Sequence, residues 1–247
     1  MGAYPIRGLV LQRLQAIARK LGIELDVAQS QRFELYTREL LEWNKRVNLT
    51  AITDPEQIVV RHYIDSLSVA LALPGGIAFQ GSIVDVGSGG GFPGLPLALA
   101  LPRTQMTLIE SIGKKARFLE HVVETLQIEK RVELHSERAE VLAHRPHLRE
   151  NFDVAVVRAV GKIATICELC LPFCRLGGRV IAQKKDDCWP EVEKAEKAIE
   201  LLGGAVVEVK TPLVQELPGI ALVVIQKNSP TPNQFPRRNG VPAKRPL

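Results

Sequence analysis

The stretch Asp85-Val86-Gly87-Ser88-Gly89-Gly90-Gly91-Phe92-Pro93-Gly94 constrains this chain more than any other. It follows a short apolar run, SIVDVG (82–87), and precedes a helical pattern near 94–100. A glycine loop between a strand and a helix lets the backbone turn sharply and come close to a ligand. Glu110 closes the next apolar run, placed to accept hydrogen bonds from the two hydroxyls of a ribose.

The rest of the chain from Ser82 agrees with that setting. Short β-branched runs recur at 82–87, 106–110, 131–135, 152–157, 178–184, 205–210 and 221–226. Helical patterns fall between the first six, near 94–100, 114–127, 137–144, 161–174 and 189–203. Alternation of this kind predicts an α/β fold with a mostly parallel sheet covered on both faces. The last two runs have no helix between them and predict an antiparallel hairpin at the sheet edge. Five strand–helix units and a hairpin are the element count of the Rossmann-like, seven-stranded sheet of class I S-adenosylmethionine-dependent methyltransferases. Residues 1–80 read as a helical region packed on that core, 81–227 as the methyltransferase domain, and 228–247 as a basic, proline-rich tail. In the helical region the periodic apolar positions are Leu9, Leu11, Leu14, Ile17 and Leu21, then Phe33, Tyr36, Leu40, Leu41 and Val47 behind Ser30 as N-cap. A third helix is expected from Asp54-Pro55-Glu56 to about Leu73.

The glycine loop suits two cofactors. Gly89-x-Gly91-x-x-Gly94 also fits a dinucleotide pattern, so NAD(P) is a rival. Asp85 favours the other choice: a pyrophosphate beside it would face a carboxylate, whereas the ammonium and sulfonium of S-adenosylmethionine suit an acidic neighbour. Phe92 would line the adenosine pocket. Ala139 and Glu140, in the loop after the third strand, have main-chain groups able to read an adenine edge. Arg158 ends the fourth strand, at the rim where ligands bind in open α/β sheets, and an arginine buried there needs an anionic partner.

Net charge is +5, and its placement is informative: Lys227, Arg237, Arg238, Lys244 and Arg245 form an acid-free terminal stretch, leaving residues 1–226 neutral. A basic segment on a neutral body is an electrostatic handle for a polyanion. Lys114, Lys115 and Lys184 lie near strand ends and would add phosphate contacts. Cys167, Cys170 and Cys174 read as one apolar helix face, not as metal ligands, because no second ligand pair follows. No apolar run reaches a membrane span, and Gly2 is not followed by the Ser or Thr of a lipidation signal, so a cytoplasmic protein is expected.

The chain resembles the bacterial 16S ribosomal RNA methyltransferase G family, also called glucose-inhibited division protein B. Three stretches carry the resemblance. The first is Trp43-Asn44-Lys45 to Leu49-Thr50-Ala51-Ile52, continued by His62-Tyr63-Ile64-Asp65-Ser66-Leu67. The second is the glycine loop with Glu110-Ser111 and Lys114-Lys115. The third is Phe235-Pro236-Arg237-Arg238 with Gly240, Pro242 and Lys244-Arg245-Pro246-Leu247. Phe235 stands where the family often has tyrosine, and Asn239 where it often has alanine. The resemblance implies methyl transfer from S-adenosylmethionine to N7 of guanine 527 in 16S rRNA, as free RNA, small subunit or assembly particle. It implies cofactor contacts at Gly87, Phe92, Ala139, Glu140 and Arg158, to which the loop chemistry adds Asp85, Gly89, Gly91 and Glu110. N7 carries a free in-plane lone pair and no proton, so no catalytic base is expected, and the pair His62 and Asp65 reads as helix packing or loop anchoring. Removing the tail is expected to weaken RNA binding and its salt dependence while leaving cofactor affinity intact.

Overall fold

A computed structural model describes residues 8–247 of the chain. Gly2 and the start of the 1–80 region lie outside the described residues. Helix α1 (Gly8–Lys20) is followed by α2 (Val27–Asn44). The N-cap of α2 is Asp26, not Ser30: the Asp26 carboxylate accepts from the Gln29 amide, and the Gln29 side chain accepts in return from the Asp26 amide. That reciprocal box starts the helix four residues early, and Ser30, inside it, donates back to the Asp26 carbonyl.

The third helical run starts where expected. Asp54 caps α3 (Pro55–Ile58), accepting from the Gln57 amide at 2.9 Å. The run then loosens into a π-helical turn (Val59–Ile64), tightens again in α4 (Asp65–Ser68) and ends as a 3₁₀ turn (Val69–Ala72). A π turn inserted in a helix re-aims the side chains that follow, and such turns concentrate at functional sites.

Seven strands form one sheet: β1 (Ser82–Val86), β2 (Gln105–Ile109), β3 (Val132–His135), β4 (Phe152–Arg158), β5 (Cys174–Lys185), β6 (Gly204–Lys210) and β7 (Ile220–Lys227). Their order is β3-β2-β1-β4-β5-β7-β6. The first five pair in parallel, and β7 runs antiparallel to both β5 and β6. The sheet order reverses between β1 and β4, which is where an open α/β sheet leaves its ligand crevice. The connecting helices are α5 (Gly94–Ala100), α6 (Gly113–Thr125), α7 (Ala139–Leu142), α8 (Ile163–Cys170) and α9 (Trp189–Leu201).

Two buried clusters cover the two faces of the sheet. One joins β-strand residues to α1, α2, the 55–72 run, α5 and α6; the other joins them to α7, α8 and α9. The N-terminal helices are therefore part of one core face. Trp43 of α2 packs against Phe118 and His121 of α6, and the Gln29 amide nitrogen donates to the Leu99 and Ala100 carbonyls at the end of α5.

The cysteine reading needs one correction. The helix expected over 161–174 stops at Cys170, because Pro172 has no amide hydrogen to continue it. Cys174 opens β5 and is not on the helix face. All four thiols are free and buried. Among the described residues, no three His, Cys, Asp or Glu side chains are grouped to hold a metal ion.

Residues 228–247 do not trail away from the body. They include a short helix, α10 (Val241–Lys244), and pack back on α7 and α8. The His144 ring bonds the Pro236 carbonyl, Arg149 donates to the Thr231 and Phe235 carbonyls, and Thr165 donates to the Pro242 carbonyl.

Candidate cofactor and substrate site

The loop after β1 leaves no room for a side chain at Gly87 or Gly91. Gly87 has φ +77, and a β-carbon there would stand 2.9 Å from Val160. Gly91 has φ +94, and a β-carbon would meet Leu95 and the Tyr36 hydroxyl, each at 2.5 Å. L residues rarely adopt such angles, so glycine is required twice over, by strain and by space. The Tyr36 hydroxyl donates to the Gly90 carbonyl, so α2 holds the loop from behind.

Two carboxylates organise the loop. Glu110 accepts from the Gly89 amide at 2.8 Å with one oxygen and from the Ile112 amide at 2.7 Å with the other. Each oxygen keeps a second lone pair, so the group can hold the loop and still accept from a ligand. Asp85 is fully buried. One of its oxygens accepts from the Gly94 amide at 3.0 Å, and the other, Oδ1, has no partner. Burial, reinforced by Glu110, pushes this carboxyl up to about 7, against the lowering effects of the Gly94 amide and Arg158. A buried carboxyl with one unpartnered oxygen is stabilised in its ionised form by a cation placed against it.

Phe92 sits at the centre of a stack. The His62 ring lies nearly parallel to it at 4.4 Å, Tyr36 is offset at 5.6 Å, and the Arg158 guanidinium lies 4.9 Å from its ring centre. Arg158 does meet an acidic partner, Asp65, at 2.8 Å. Asp65 also accepts from the Gln183 side-chain amide at 2.9 Å. Arg158 and Gln183 are register partners on β4 and β5, so one carboxylate from the 55–72 run pins the ends of both strands. Ala159, next in the chain, has φ 59, a left-handed turn that a non-glycine residue adopts at a cost.

The motif Trp43 to Ile52 builds the wall behind this stack. The Asn44 side chain accepts from the Leu49 and Thr50 amides and donates to the Thr50 carbonyl. Thr50 then bonds the His62 ring at 2.6 Å. Burial first, and Arg158 second, lower the His62 imidazole to about 4, so it is neutral at pH 7. His62 and Asp65 thus anchor and orient the loop and Arg158. Sequence patterning gives no sign that Gln183 and Tyr36 belong to the site, since each acts through a partner distant in the chain; Thr50 and Asp65 stand in the first motif, and the pair His62 and Asp65 anchors as expected, but their bonds to His62 and Arg158 are not marked there.

Beside Arg158 opens a cleft of about 890 Å³ at the ends of β4 and β5, whose lining includes Arg61, Lys184, Lys185, Asp186 and Glu191. Lys184 pairs with Glu191 at 2.9 Å and donates to the Gly161 carbonyl. Lys114 is exposed and Lys115 half-buried at the start of α6, beyond β2. These cations therefore flank the β1–β4 crevice on two sides.

Ala139 and Glu140 begin α7, both nearly buried. The Glu140 carboxylate accepts from the Gly240 amide at 2.8 Å, a contact across a hundred residues of chain. The tail divides into two kinds of basic residue. Arg237 is taken up by Glu168, which is fully buried and accepts from its guanidinium and its amide. Lys227, also fully buried, pairs with Glu150 at 3.0 Å and donates to the Leu171 carbonyl. Arg238, Lys244 and Arg245 are exposed. The expectation of an RNA handle along the whole basic stretch is corrected for Lys227 and for Arg237: their charges are engaged inside the fold.

Residues 29–218 match the family described as GidB, rRNA small subunit methyltransferase G. The chain is 47% identical to the ribosomal RNA small subunit methyltransferase G of Roseiflexus sp. (strain RS-1), over 93% of this chain and 97% of that one. It is 45% identical to the protein of that name from Dehalococcoides mccartyi (strain BAV1), over 92% and 95%. Among solved structures, P. horikoshii TYW2 in complex with MeSAdo superposes with a TM-score of 0.50 at 14% identity, covering 68% of this chain and 63% of that one. A crystallised mutant of MtNAS superposes at 0.55 and 16% identity, covering 93% and 90%. At those identities the superpositions speak for the fold alone.

Proposed function

The chain belongs to the rRNA small subunit methyltransferase G family, and from that premise we propose that it methylates N7 of guanine 527 in 16S ribosomal RNA, with S-adenosylmethionine as donor. The observation that carries the reading is the pairing of a glycine cradle with the unsatisfied Asp85 oxygen. A β-carbon at Gly87 or Gly91 would strike Val160, Leu95 or Tyr36 and push the loop out of the shape that presents its main chain beside Asp85. The carboxylate asks for a cation, and the donor is one.

The residues suit that donor. Asp85 would face its ammonium, Glu110 its ribose hydroxyls, and Phe92 its adenosine, with the main chain of Gly87, Gly89 and Gly91 closing around it. Ala139 and Glu140 would border the adenine, and Arg158 its carboxylate. When bound, the donor supplies an electrophilic methyl group. The chain's part is to position and to exclude water. N7 of guanine would take the methyl carbon through its in-plane lone pair as the carbon–sulfur bond breaks onto the leaving thioether, so it loses no proton and needs no base. The neutral His62 and the engaged Asp65 agree with roles in holding Arg158 and Phe92 in place.

RNA recognition divides between phosphate contacts and base choice. Lys114, Lys115, Arg238, Lys244 and Arg245 are the phosphate candidates, Lys184 being engaged by Glu191 and the Gly161 carbonyl, and the cleft beside Arg158 would receive the base. The RNA partner is free 16S rRNA, the small subunit or an assembly particle, and the protein would meet it in the cytoplasm. No helix among the described residues is long and apolar enough to cross a membrane.

The test is transfer of radiolabelled methyl to small-subunit RNA lacking its own methylation, with wild type beside Gly87→Asp. The expected result is label in the wild-type reaction only, and chain cleavage at one guanine by mild base followed by aniline. Label that survives at another position or another base would overturn the N7 assignment.

A further inference from the structure

The strap formed by residues 228–247 runs from the buried Lys227 to the wall of the cofactor pocket. Its contacts are specific and internal. Glu168, fully buried in α8, binds the Arg237 amide at 2.8 Å, its Nε at 2.8 Å and its Nη2 at 2.6 Å. Three residues on, the Gly240 amide meets the Glu140 carboxylate at 2.8 Å. Gly240 has φ +76 and nothing within 4 Å of a would-be β-carbon, so its conformation aims the amide at no packing cost. Pro242 then takes a hydrogen bond from Thr165, one turn before Glu168 on α8. Arg237 also donates to the Arg245 carbonyl, closing the strap on itself.

We propose that Arg237 is a positioning residue for the methyl donor: its clamp on Glu168 seats the strap so that Gly240 fixes Glu140, and with it the first turn of α7 that borders the adenine. The inference rests on the cofactor reading above. It reverses the expectation that the tail serves RNA alone. A helix of four residues has few internal bonds to hold its own first turn, so α7 depends on outside partners for its position. Glu140 has one such partner in Gly240. Without the clamp, a carboxylate that is nearly buried loses its donor, and the first turn of α7 is left held only by Ala139, Leu142 and Ala143 in the core. The exposed Arg238, Lys244 and Arg245 lie on the same strap, so an RNA phosphate bound there would press on the element that holds Glu140.

The experiment is calorimetric titration of S-adenosylmethionine into the full chain carrying Arg237→Met or Arg237→Lys, with thermal unfolding of each variant. At a temperature well below its unfolding midpoint, Arg237→Met should bind the donor roughly tenfold more weakly, the worth of one charge-assisted hydrogen bond. Arg237→Lys, which retains the charge, should recover much of that loss, and turnover at saturating donor should stay near that of the wild type. A role confined to stability would lower the midpoint and leave the dissociation constant of the folded protein unchanged, which would overturn the inference. If Arg237→Met does not fold, Thr165→Val cuts the second tether and is read by the same titration; unchanged affinity there overturns it equally. Absence of donor binding by the wild type would instead strike the cofactor reading on which the inference stands.

Discussion

Asp85→Asn should make the ligand-free protein more stable at pH 8 while removing its affinity for the methyl donor. Burial holds the Asp85 carboxyl near 7, against 3.8 for the free group. At ~1.36 kcal/mol per pH unit, the folded state disfavours the ionised carboxylate by about 4 kcal/mol at pH 8. Because the folded value is raised, the stability linked to this group is fully present below pH 3.8 and is lost as pH rises through 7. Between pH 5 and pH 8 the wild type should therefore lose about 3 kcal/mol from this site. Asparagine cannot ionise, and its carbonyl can still accept from the Gly94 amide. Its amide nitrogen would lie where Oδ1 now has no partner, at a cost of ~1–3 kcal/mol, so the net gain at pH 8 is about 1–3 kcal/mol. Urea unfolding of both proteins at pH 5, 6, 7 and 8 measures the difference directly. A variant whose stability falls with pH as steeply as that of the wild type would refute the argument. Donor binding supplies the complementary readout. In the role proposed for Asp85 only the ionised carboxylate attracts the ammonium, so wild-type affinity should weaken about tenfold from pH 8 to pH 6.

Other outcomes follow from the same geometry. Gly91→Ala should abolish donor binding, since its β-carbon would meet Leu95 and Tyr36 at 2.5 Å in a left-handed backbone; the same titration checks it. Tyr36→Phe, losing the bond to the Gly90 carbonyl, should destabilise the fold by ~1–2 kcal/mol in urea unfolding and raise the donor dissociation constant. His62 is lowered to about 4, so its contribution to stability is present above pH 6.5 and is lost as pH falls toward 4; an NMR titration showing a His62 midpoint near 6.5 would contradict this. The four buried thiols, three of them with burial as the main cause of a strong upward shift, should resist iodoacetamide at pH 8 in the native protein and react on unfolding, as mass spectrometry would record.

Features written in local pattern are legible in the sequence itself. Strand and helix alternation announces the sheet, the missing sixth helix announces the β6–β7 hairpin, and the glycine spacing announces the loop. The place of Asp85 is legible too, because it stands at the end of β1 beside that loop. What stays hidden depends on pairs far apart in the chain. Arg158 plainly needs an anion, but its partner Asp65 lies 93 positions away, just past a π-helical turn that no periodicity marks. Arg237 looks like its neighbours Arg238 and Lys244, since charge counting cannot tell a guanidinium facing water from one facing a buried glutamate. Ser30 is a sound cap by type, yet Asp26 with Gln29 makes a better one four residues earlier. Cys174 keeps helical spacing with Cys167 and Cys170 across a proline that ends the helix between them.

The strap also bears on the order in which the molecule becomes itself. Its contacts span 69 residues to Glu168, 77 to Thr165 and 100 to Glu140. Loops of that length close late, after the nearer strand and helix pairs have formed. In synthesis the strap also emerges only after every element it ties. A chain whose sheet is complete but whose strap has not docked would have an unfinished adenine wall. On the role proposed for the strap, such a chain would hold the methyl donor poorly and would methylate slowly at limiting donor, whatever the state of its glycine loop. Competence for the reaction would thus come as the last event of folding.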